Sequence, residues 1–92
     1  MLEIILADKA TAQLKIGARS SKFHELIRAG LVTPPVHVGR SARFPMHELN
    51  ALAAARMAGA SDSEIRTLVA DLVAQRGKIF AEWRAATLAA AV

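Results

Sequence analysis

The stretch that decides the fold is GARSSKFHELIRAG, which runs from Gly17 to Gly30. Within it, Phe23, Leu26 and Ile27 recur at positions i, i+3 and i+4, which is the spacing of the buried stripe of a helix. The closing glycine is a common helix end, because glycine adopts the left-handed backbone conformation found there without strain. The stretch therefore predicts a short amphipathic helix that ends at the second glycine.

The residues before this helix predict a shorter one. Asp8 is a suitable N-cap for a helix over about residues 9–14, and Gly17 ends it. Ser20 or Ser21 can then cap the second helix. Two short helices joined by a tight turn that contains glycine predict a helix-turn-helix, whose second helix presents a polar, mostly basic face to solvent.

The proline-rich segment that follows excludes a helix and predicts a small two-stranded wing. Val36 and Val38 alternate with a histidine, and Gly39 supplies the backbone freedom of a hairpin turn. Arg40 and Arg43 would lie at or beside the tip of this wing. The basic wing therefore lies close in sequence to the basic helix.

Two flanking segments complete this part of the chain. The apolar residues at positions 2, 4 and 6 alternate with others, which predicts a strand or an extended lead-in. A third helix is expected from Met46 to Gly59, and it would bury Leu49 and Leu52 together with the stem of Arg56 or Met57.

A fourth helix begins with a capping-box pattern, in which Ser61 is the N-cap and Glu64 follows three residues later. At 100° per residue, its larger apolar side chains keep to one face past Gly77. A break at this glycine is the alternative to one long helix. Unbroken, the helix would be about 43 Å long, which exceeds the width of a 60-residue domain. The apolar face consists of Ile65, Leu68, Val69, Leu72, Val73, Ile79, Phe80 and Trp83.

The fold class expected is mainly α with a small β-hairpin. A winged helix-turn-helix would occupy residues 1–60, and a long amphipathic helix would occupy residues 61–92. Because the first domain is too small to cover the whole apolar face, this face predicts self-association into a homo-oligomer. A helix that bends at Gly77 and folds back over the domain is the alternative. A regular coiled coil is not expected, because Gln75 and Glu82 interrupt the heptad seam.

The charge distribution favours a polyanionic partner. The chain carries a formal charge of +4, and all of this excess lies before residue 61, with +5 between Lys15 and Arg43. A basic helix and a basic wing together favour double-stranded DNA, read by the helix in the major groove and clamped by the wing. The residues expected to contact DNA are Arg19, Ser20, Ser21, Lys22, Glu25, Arg28, Arg40, Ser41 and Arg43.

Other classes of function lack the residues they need. The chain has no cysteine, and its three histidines have no metal-ligand spacing, so neither a metal site nor another cofactor is expected. His47-Glu48 begins a zinc-protease pattern, but Ala51 replaces its second histidine. No catalytic constellation is present, so the protein is not expected to be an enzyme. No apolar run is long enough to cross a membrane, and no signal peptide is visible, so a cytoplasmic, nucleoid-associated location is expected.

Residues 17–30, followed by PVHVGRSARF at 35–44 and ELNAL at 48–52, resemble the AlpA-type and excisionase-type DNA-binding proteins of prophages and other mobile elements. The resemblance covers about residues 7–56. It departs from the family pattern at Arg19, His24, Thr33 and Phe44. The resemblance implies either a transcriptional regulator of an integrase or prophage genes, or a recombination directionality factor whose copies load side by side on an attachment site and bend it for excision, with an integrase as a further partner. The alternative from a different class is a protein-interaction module, such as an anti-activator or adaptor, that uses the apolar C-terminal helix.

Overall fold

The computed structural model describes residues 3–90, which form four helices and a small antiparallel sheet. The protein is mainly helical. The sheet has three strands in the order β1-β3-β2. In chain order the elements are β1 (Leu6–Ala7), α1 (Lys9–Ile16), α2 (Ser20–Arg28), β2 (Val36–Val38), β3 (Ser41–Pro45), α3 (Met46–Met57) and α4 (Asp62–Ala90).

The start of α1 is the one the sequence predicts. Asp8 is its N-cap, and the Thr11 backbone N–H donates to Asp8 Oδ1 at 2.8 Å. The hydrogen bonds from Thr11 hold the pKa of Asp8 below its usual value, and the charge of Arg43 acts in the same direction. Gly17 ends the helix with a φ of 78°, a conformation that glycine adopts without the clash of a Cβ.

The start of α2 differs from the prediction. The N-cap is Arg19, which makes no side-chain capping hydrogen bond, and Ser20 and Ser21 lie within the first turn. The helix therefore starts at least one residue earlier than predicted, and the serines lie inside it instead of capping it. At the other end, the Leu31 N–H donates to Leu26 O at 2.8 Å. This bond closes the helix around Gly30 and directs the following residues into the core.

The sheet has one strand more than the predicted wing. β2 and β3 form the expected hairpin, with Val36 opposite Arg43, while β1 pairs with the other edge of β3, with Ala7 opposite Phe44. Because side chains alternate along a strand, Phe44 and Arg43 point to opposite faces of the sheet. We call the face that carries Phe44 the inner face and the other the outer face.

One hydrophobic core holds the elements together. The rings of Phe23 in α2 and Phe44 in β3 meet edge to face, with centroids 5.2 Å apart. Leu49 and Leu52 of α3 are buried as predicted, whereas Met57 is 87% exposed. The core also contains three residues of α4, namely Ile65, Val69 and Leu72. The hydrophobic core therefore crosses the domain boundary that was predicted after residue 60.

Helix α4 is continuous through Gly77, and its capping box is formed. The Ser61 N–H donates to Glu64 Oε1 at 3.0 Å, and the Glu64 N–H donates to Ser61 Oγ at 3.2 Å. These bonds lower the pKa of Glu64. The helix has 29 residues, or about 43 Å at 1.5 Å per residue, and it accounts for most of the 47 Å long axis of the molecule.

A buried ion pair fixes the direction of α4. The Arg76 guanidinium donates to both carboxylate oxygens of Glu48, at 2.8 and 2.7 Å, and to the carbonyl of Pro34 at 2.8 Å. Glu48 has no exposed surface. The hydrogen bond to Glu48 raises the pKa of Arg76 against the opposing effect of burial. This arginine therefore ties α4 both to α3 and to the loop before the hairpin.

Candidate functional site

The exposed face of α2 combines two cations with one acid. Ser21, Glu25 and Arg28 are exposed and are spaced four and three residues apart, so they form one row along the helix. Lys22 is exposed on the flank of the helix, between this row and the buried Phe23 stripe. Arg19 and Ser20, at the start of the helix, are exposed as well.

The arginines and lysines of the chain fall into two groups. Five of them hold the fold together by contacting other elements: Lys9 contacts His24, Lys15 contacts Asn50, Arg56 contacts Asp62, Arg66 contacts Ala29 O, and Arg76 contacts Glu48. By contrast, the other seven make no side-chain hydrogen bond or ion pair within residues 3–90. Three of them are Arg43, which is half-buried in β3, and Lys78 and Arg84, which lie on α4. The other four, Arg19, Lys22, Arg28 and Arg40, are exposed at α2 or in the hairpin turn. We call these four residues the free cations. Lys15 belonged to the predicted basic stretch, but its contact with Asn50 sets it apart from them.

The hairpin contributes its cations unequally. Arg40 is exposed in the turn between β2 and β3, and Ser41 beside it is also exposed. Arg43 is half-buried on the outer face of the sheet. Continuing the register of β1 by one residue places Asp8 opposite it, in agreement with the effect of Arg43 on the pKa of Asp8. The inner face packs on α2 through Phe44, so Arg43 points away from α2. Arg40 is therefore the hairpin cation that is free to bind a ligand.

His24 connects α2 to α1. Its Nδ1 lies 2.8 Å from Ser20 O, a carbonyl that can only accept, so Nδ1 donates. Its Nε2 lies 3.3 Å from Lys9 Nζ and accepts from the ammonium group. Together the two contacts correspond to the tautomer with the proton on Nδ1. The contact holds the cation of Lys9 beside α2, next to the free cations.

The residues predicted for self-association are divided by the structure. Ile65, Val69 and Leu72 lie in the chain's own core, and Leu68 and Val73 are half-buried, with Leu68 packed against that core. The burial of the three core residues corrects their assignment to an oligomer surface. Phe80 is 67% exposed and Trp83 is 37% exposed, while Ile79 is half-buried. The part of the predicted surface that faces solvent is therefore the turn of α4 from Ile79 to Trp83.

This turn of α4 forms one wall of an apolar groove with a volume of about 440 Å³. The opposite wall is the outer face of the sheet. The lining residues are Ile4, Leu6, Val36, Pro45, His47, Arg76, Ile79, Phe80 and Trp83. The Arg76 guanidinium is paired with Glu48, so the groove presents almost no uncompensated charge.

Sequence reasoning did not identify the sheet wall of this groove. The alternation at residues 2, 4 and 6 indicated a strand, but pairing between β1 and β3 joins residues almost 40 positions apart, and no local pattern specifies such a pairing. The Glu48–Arg76 pair was missed for the same reason. One local signal existed, namely an acidic residue among the apolar positions of α3.

Two classes of site find no support among residues 3–90. No group of three or more histidine, cysteine, aspartate or glutamate side chains in this range is placed to hold a metal ion. No helix in the same range is both long and apolar enough to cross a membrane.

Comparison with known proteins adds no relative to this description. No family model, no curated protein and no solved structure matches the chain.

Proposed function

We propose that this protein binds double-stranded DNA in a sequence-specific manner, as a self-associating winged helix-turn-helix protein without enzymatic activity. In this proposal α1 and α2 are the helix-turn-helix, α2 enters the major groove and the β2–β3 hairpin is the wing. The observation that carries the proposal is the free cations. Arg19, Lys22 and Arg28 at α2 and Arg40 on the hairpin are exposed and make no side-chain hydrogen bond or ion pair with the described residues 3–90, whereas five other cations contact neighbouring elements. Lys78 and Arg84 are also unpaired within this range, but they lie on α4, outside the proposed surface.

The chemistry of α2 suits a base-reading helix. An arginine at the position of Arg28 can donate two hydrogen bonds to guanine, and the carboxylate of Glu25 can accept from the amino group of cytosine. Arg19, Lys22 and Arg40 suit phosphates, together with the hydroxyls of Ser20, Ser21 and Ser41. Arg43 has a lesser role in this proposal, because it lies on the outer face of the sheet near Asp8.

The cellular role follows from the resemblance to AlpA-type and excisionase-type proteins. We propose a recombination directionality factor, a transcriptional regulator of a prophage or integrative element, or both roles in one protein. It would act in the cytoplasm on the nucleoid, with an integrase as a further partner. Both roles place several copies on adjacent DNA. A single domain that makes about 4–6 phosphate contacts binds weakly at physiological salt, so it gains affinity from bound neighbours.

DNA titration of variants tests the proposal. A duplex selected from a random pool is titrated by fluorescence anisotropy at several salt concentrations. Arg28→Ala should weaken binding by about 1–3 kcal/mol and relax the preference at one base position. Arg40→Ala should weaken binding to all sequences alike and reduce the salt slope by about one. We expect Arg43→Ala to have a smaller effect than Arg40→Ala.

Arg84→Ala is the matched control, because it removes the same charge from an exposed position of α4 outside the proposed surface. Affinity and salt slope that are unchanged in both Arg28→Ala and Arg40→Ala would show that the assigned surface is wrong. Equal losses for Arg84→Ala would show that net charge, and not this surface, governs binding.

The second candidate is a protein-interaction module, which the 67% exposure of Phe80 favours. In this case DNA is not bound at physiological salt, and removal of residues 78–92 abolishes capture of a protein partner. The same titration separates the two functions, because the second predicts no saturable binding to any duplex in the pool.

A further inference from the structure

Phe80 and the apolar groove lie on the same surface of the molecule. Phe80 stands at the rim, where it both lines the groove and exposes 67% of its surface. The chain therefore presents a projecting aromatic side chain next to an apolar cavity. Within one copy, Phe80 lies at the border of this cavity and does not fill it. The Phe80 of another copy can enter the cavity from the solvent side.

We propose that the groove receives Phe80 from a second copy of this chain, in a two-fold symmetric dimer. Each copy inserts its Phe80 between the sheet and α4 of the other. This inference rests on the self-association included in the proposed function and adds the acceptor surface, which is the outer face of the sheet around Ile4 and Leu6. Two-fold symmetry allows both insertions to form in the same dimer, because the same surface of each copy supplies Phe80 and receives the Phe80 of the other copy.

The size of the groove fits this occupant. Its volume of about 440 Å³ exceeds that of a phenylalanine side chain, and its apolar walls match a phenyl ring. Two of its lining residues on the sheet side, Ile4 and Leu6, are 43% and 42% exposed and extend the apolar surface of Phe80. A patch of this kind provides the buried centre of an interface, for which a stable dimer needs about 800 Å² per partner.

Charge also favours a second copy over other partners. Near the groove, α4 carries Lys78 and Arg84 against Glu82, a net charge of only +1, so the repulsion between two copies is small. The basic excess of the chain lies before residue 61, and none of the free cations lines the groove. Helices that lie on anionic membranes have basic residues concentrated on their polar face, whereas α4 alternates Lys78, Glu82 and Arg84 near the groove.

Sedimentation of the full chain without DNA tests the proposal. We expect a concentration-dependent dimer for the wild type. Phe80→Ala removes the inserted side chain and changes the groove only at its rim, whereas Leu6→Lys places a charge in the groove and leaves Phe80. Each variant alone should dimerise at least about tenfold more weakly. Leu14→Ala is the control, because Leu14 is 82% exposed on α1, outside the groove.

A mixture of the two variants gives the decisive result. The groove of Phe80→Ala stays apolar and can receive Phe80 from Leu6→Lys, so the mixture should form a heterodimer more tightly than either variant dimerises with itself. Trp83 is the only tryptophan and lines the groove, so its emission should shift when the dimer forms. The proposal is overturned if the wild type stays monomeric at high concentration. It is also overturned if the mixture contains no more dimer than either variant alone.

Other occupants give different results. A monomeric wild type whose Trp83 emission shifts on addition of phosphatidylcholine and phosphatidylglycerol vesicles would assign the groove to a lipid surface and overturn the dimer. The DNA titration is a separate readout. If the protein is a dimer but binds no duplex, the proposed DNA-binding function is wrong and the dimer proposal stands. If it is a monomer that binds a single short duplex, DNA binding stands and the dimer proposal is wrong.

Discussion

Glu48 is the residue on which the position of α4 most depends. Its carboxylate has no exposed surface and accepts two hydrogen bonds from Arg76, whose side chain is 25% exposed. A buried carboxylate is stable only when its charge is compensated, because desolvation of an unpaired charge costs several kcal/mol. The pair therefore selects one arrangement of α4 on α3.

Glu48→Gln should destabilise the protein by about 3 kcal/mol, because it leaves the Arg76 guanidinium without a counter-charge. Urea unfolding followed by circular dichroism measures this loss. Replacing both partners, as in Glu48→Met with Arg76→Met, should restore most of the stability, since no charge is then left unpaired. A double variant that is less stable than Glu48→Gln would contradict this account.

Asp8 makes the stability depend on pH at the acid end. Its pKa in the folded protein is lowered by the hydrogen bonds from Thr11, so folding favours the charged form. The stabilisation is fully present above the unfolded pKa of about 3.9 and is lost as the pH falls through the lower pKa of the folded state. Asp8→Asn keeps an N-cap acceptor but does not titrate. The variant should show a shallower fall of the melting temperature than the wild type between about pH 4 and pH 2, and parallel curves would refute the capping role of the charge.

At the scale of elements, Gly77 is a weak point inside α4. It is exposed, and a Cβ built on it meets no atom within 4 Å. Nothing in the chain requires glycine there, and glycine costs about 1 kcal/mol relative to alanine inside a helix. The apolar face of α4 is continuous across it, which explains why the helix does not break.

Gly77→Ala should therefore raise stability by about 0.5–1 kcal/mol, or roughly 4 °C in melting temperature for a chain of this size. Thermal unfolding followed by circular dichroism measures the change. Gly59→Ala is the contrasting variant: its Cβ also meets open space, but its φ of 82° disfavours alanine, so it should lower stability. A fall in melting temperature for Gly77→Ala would mean that α4 depends on this glycine.

The elements that the sequence predicts well are those whose determinants are local. The capping box at Ser61 and Glu64 spans four residues, and the buried stripe of α2 spans only residues 23–27. The spacing of nearby residues is therefore enough to predict both. The position of β1 in the sheet depends on its pairing with β3, in which Ala7 lies opposite Phe44. Which face of the sheet carries Arg43 depends on the register of the β3 pairings. The free cations could be identified only in part, because the Lys15 contact with Asn50 joins two helices that are distant in sequence.

At the scale of the whole molecule, α4 has two roles along its length. Its first three turns complete the core through Ile65, Val69 and Leu72. Its distal turns extend along the 47 Å axis and carry Phe80 and Trp83 beside the groove. The free cations lie on α2 and the hairpin, while α4 as a whole carries four basic and four acidic side chains. In the proposed function, DNA binding and self-association can therefore occur together on one small chain.

Truncation separates these two roles. A chain that ends at Gly77 keeps the core residues of α4 and the Arg76–Glu48 pair, so we expect it to unfold cooperatively with a modest loss of stability, since only half-buried contacts such as Ile79 are removed. A chain that ends at Ala60 loses three core side chains, each of which contributes about 1.5–3 kcal/mol on burial, and leaves Glu48 buried without a partner. That sum approaches the total stability of a domain of this size, so the shorter chain should not fold. Circular dichroism and urea unfolding of the two truncated chains measure this difference, and a cooperative transition for the chain ending at Ala60 would show that the first 60 residues form an independent domain.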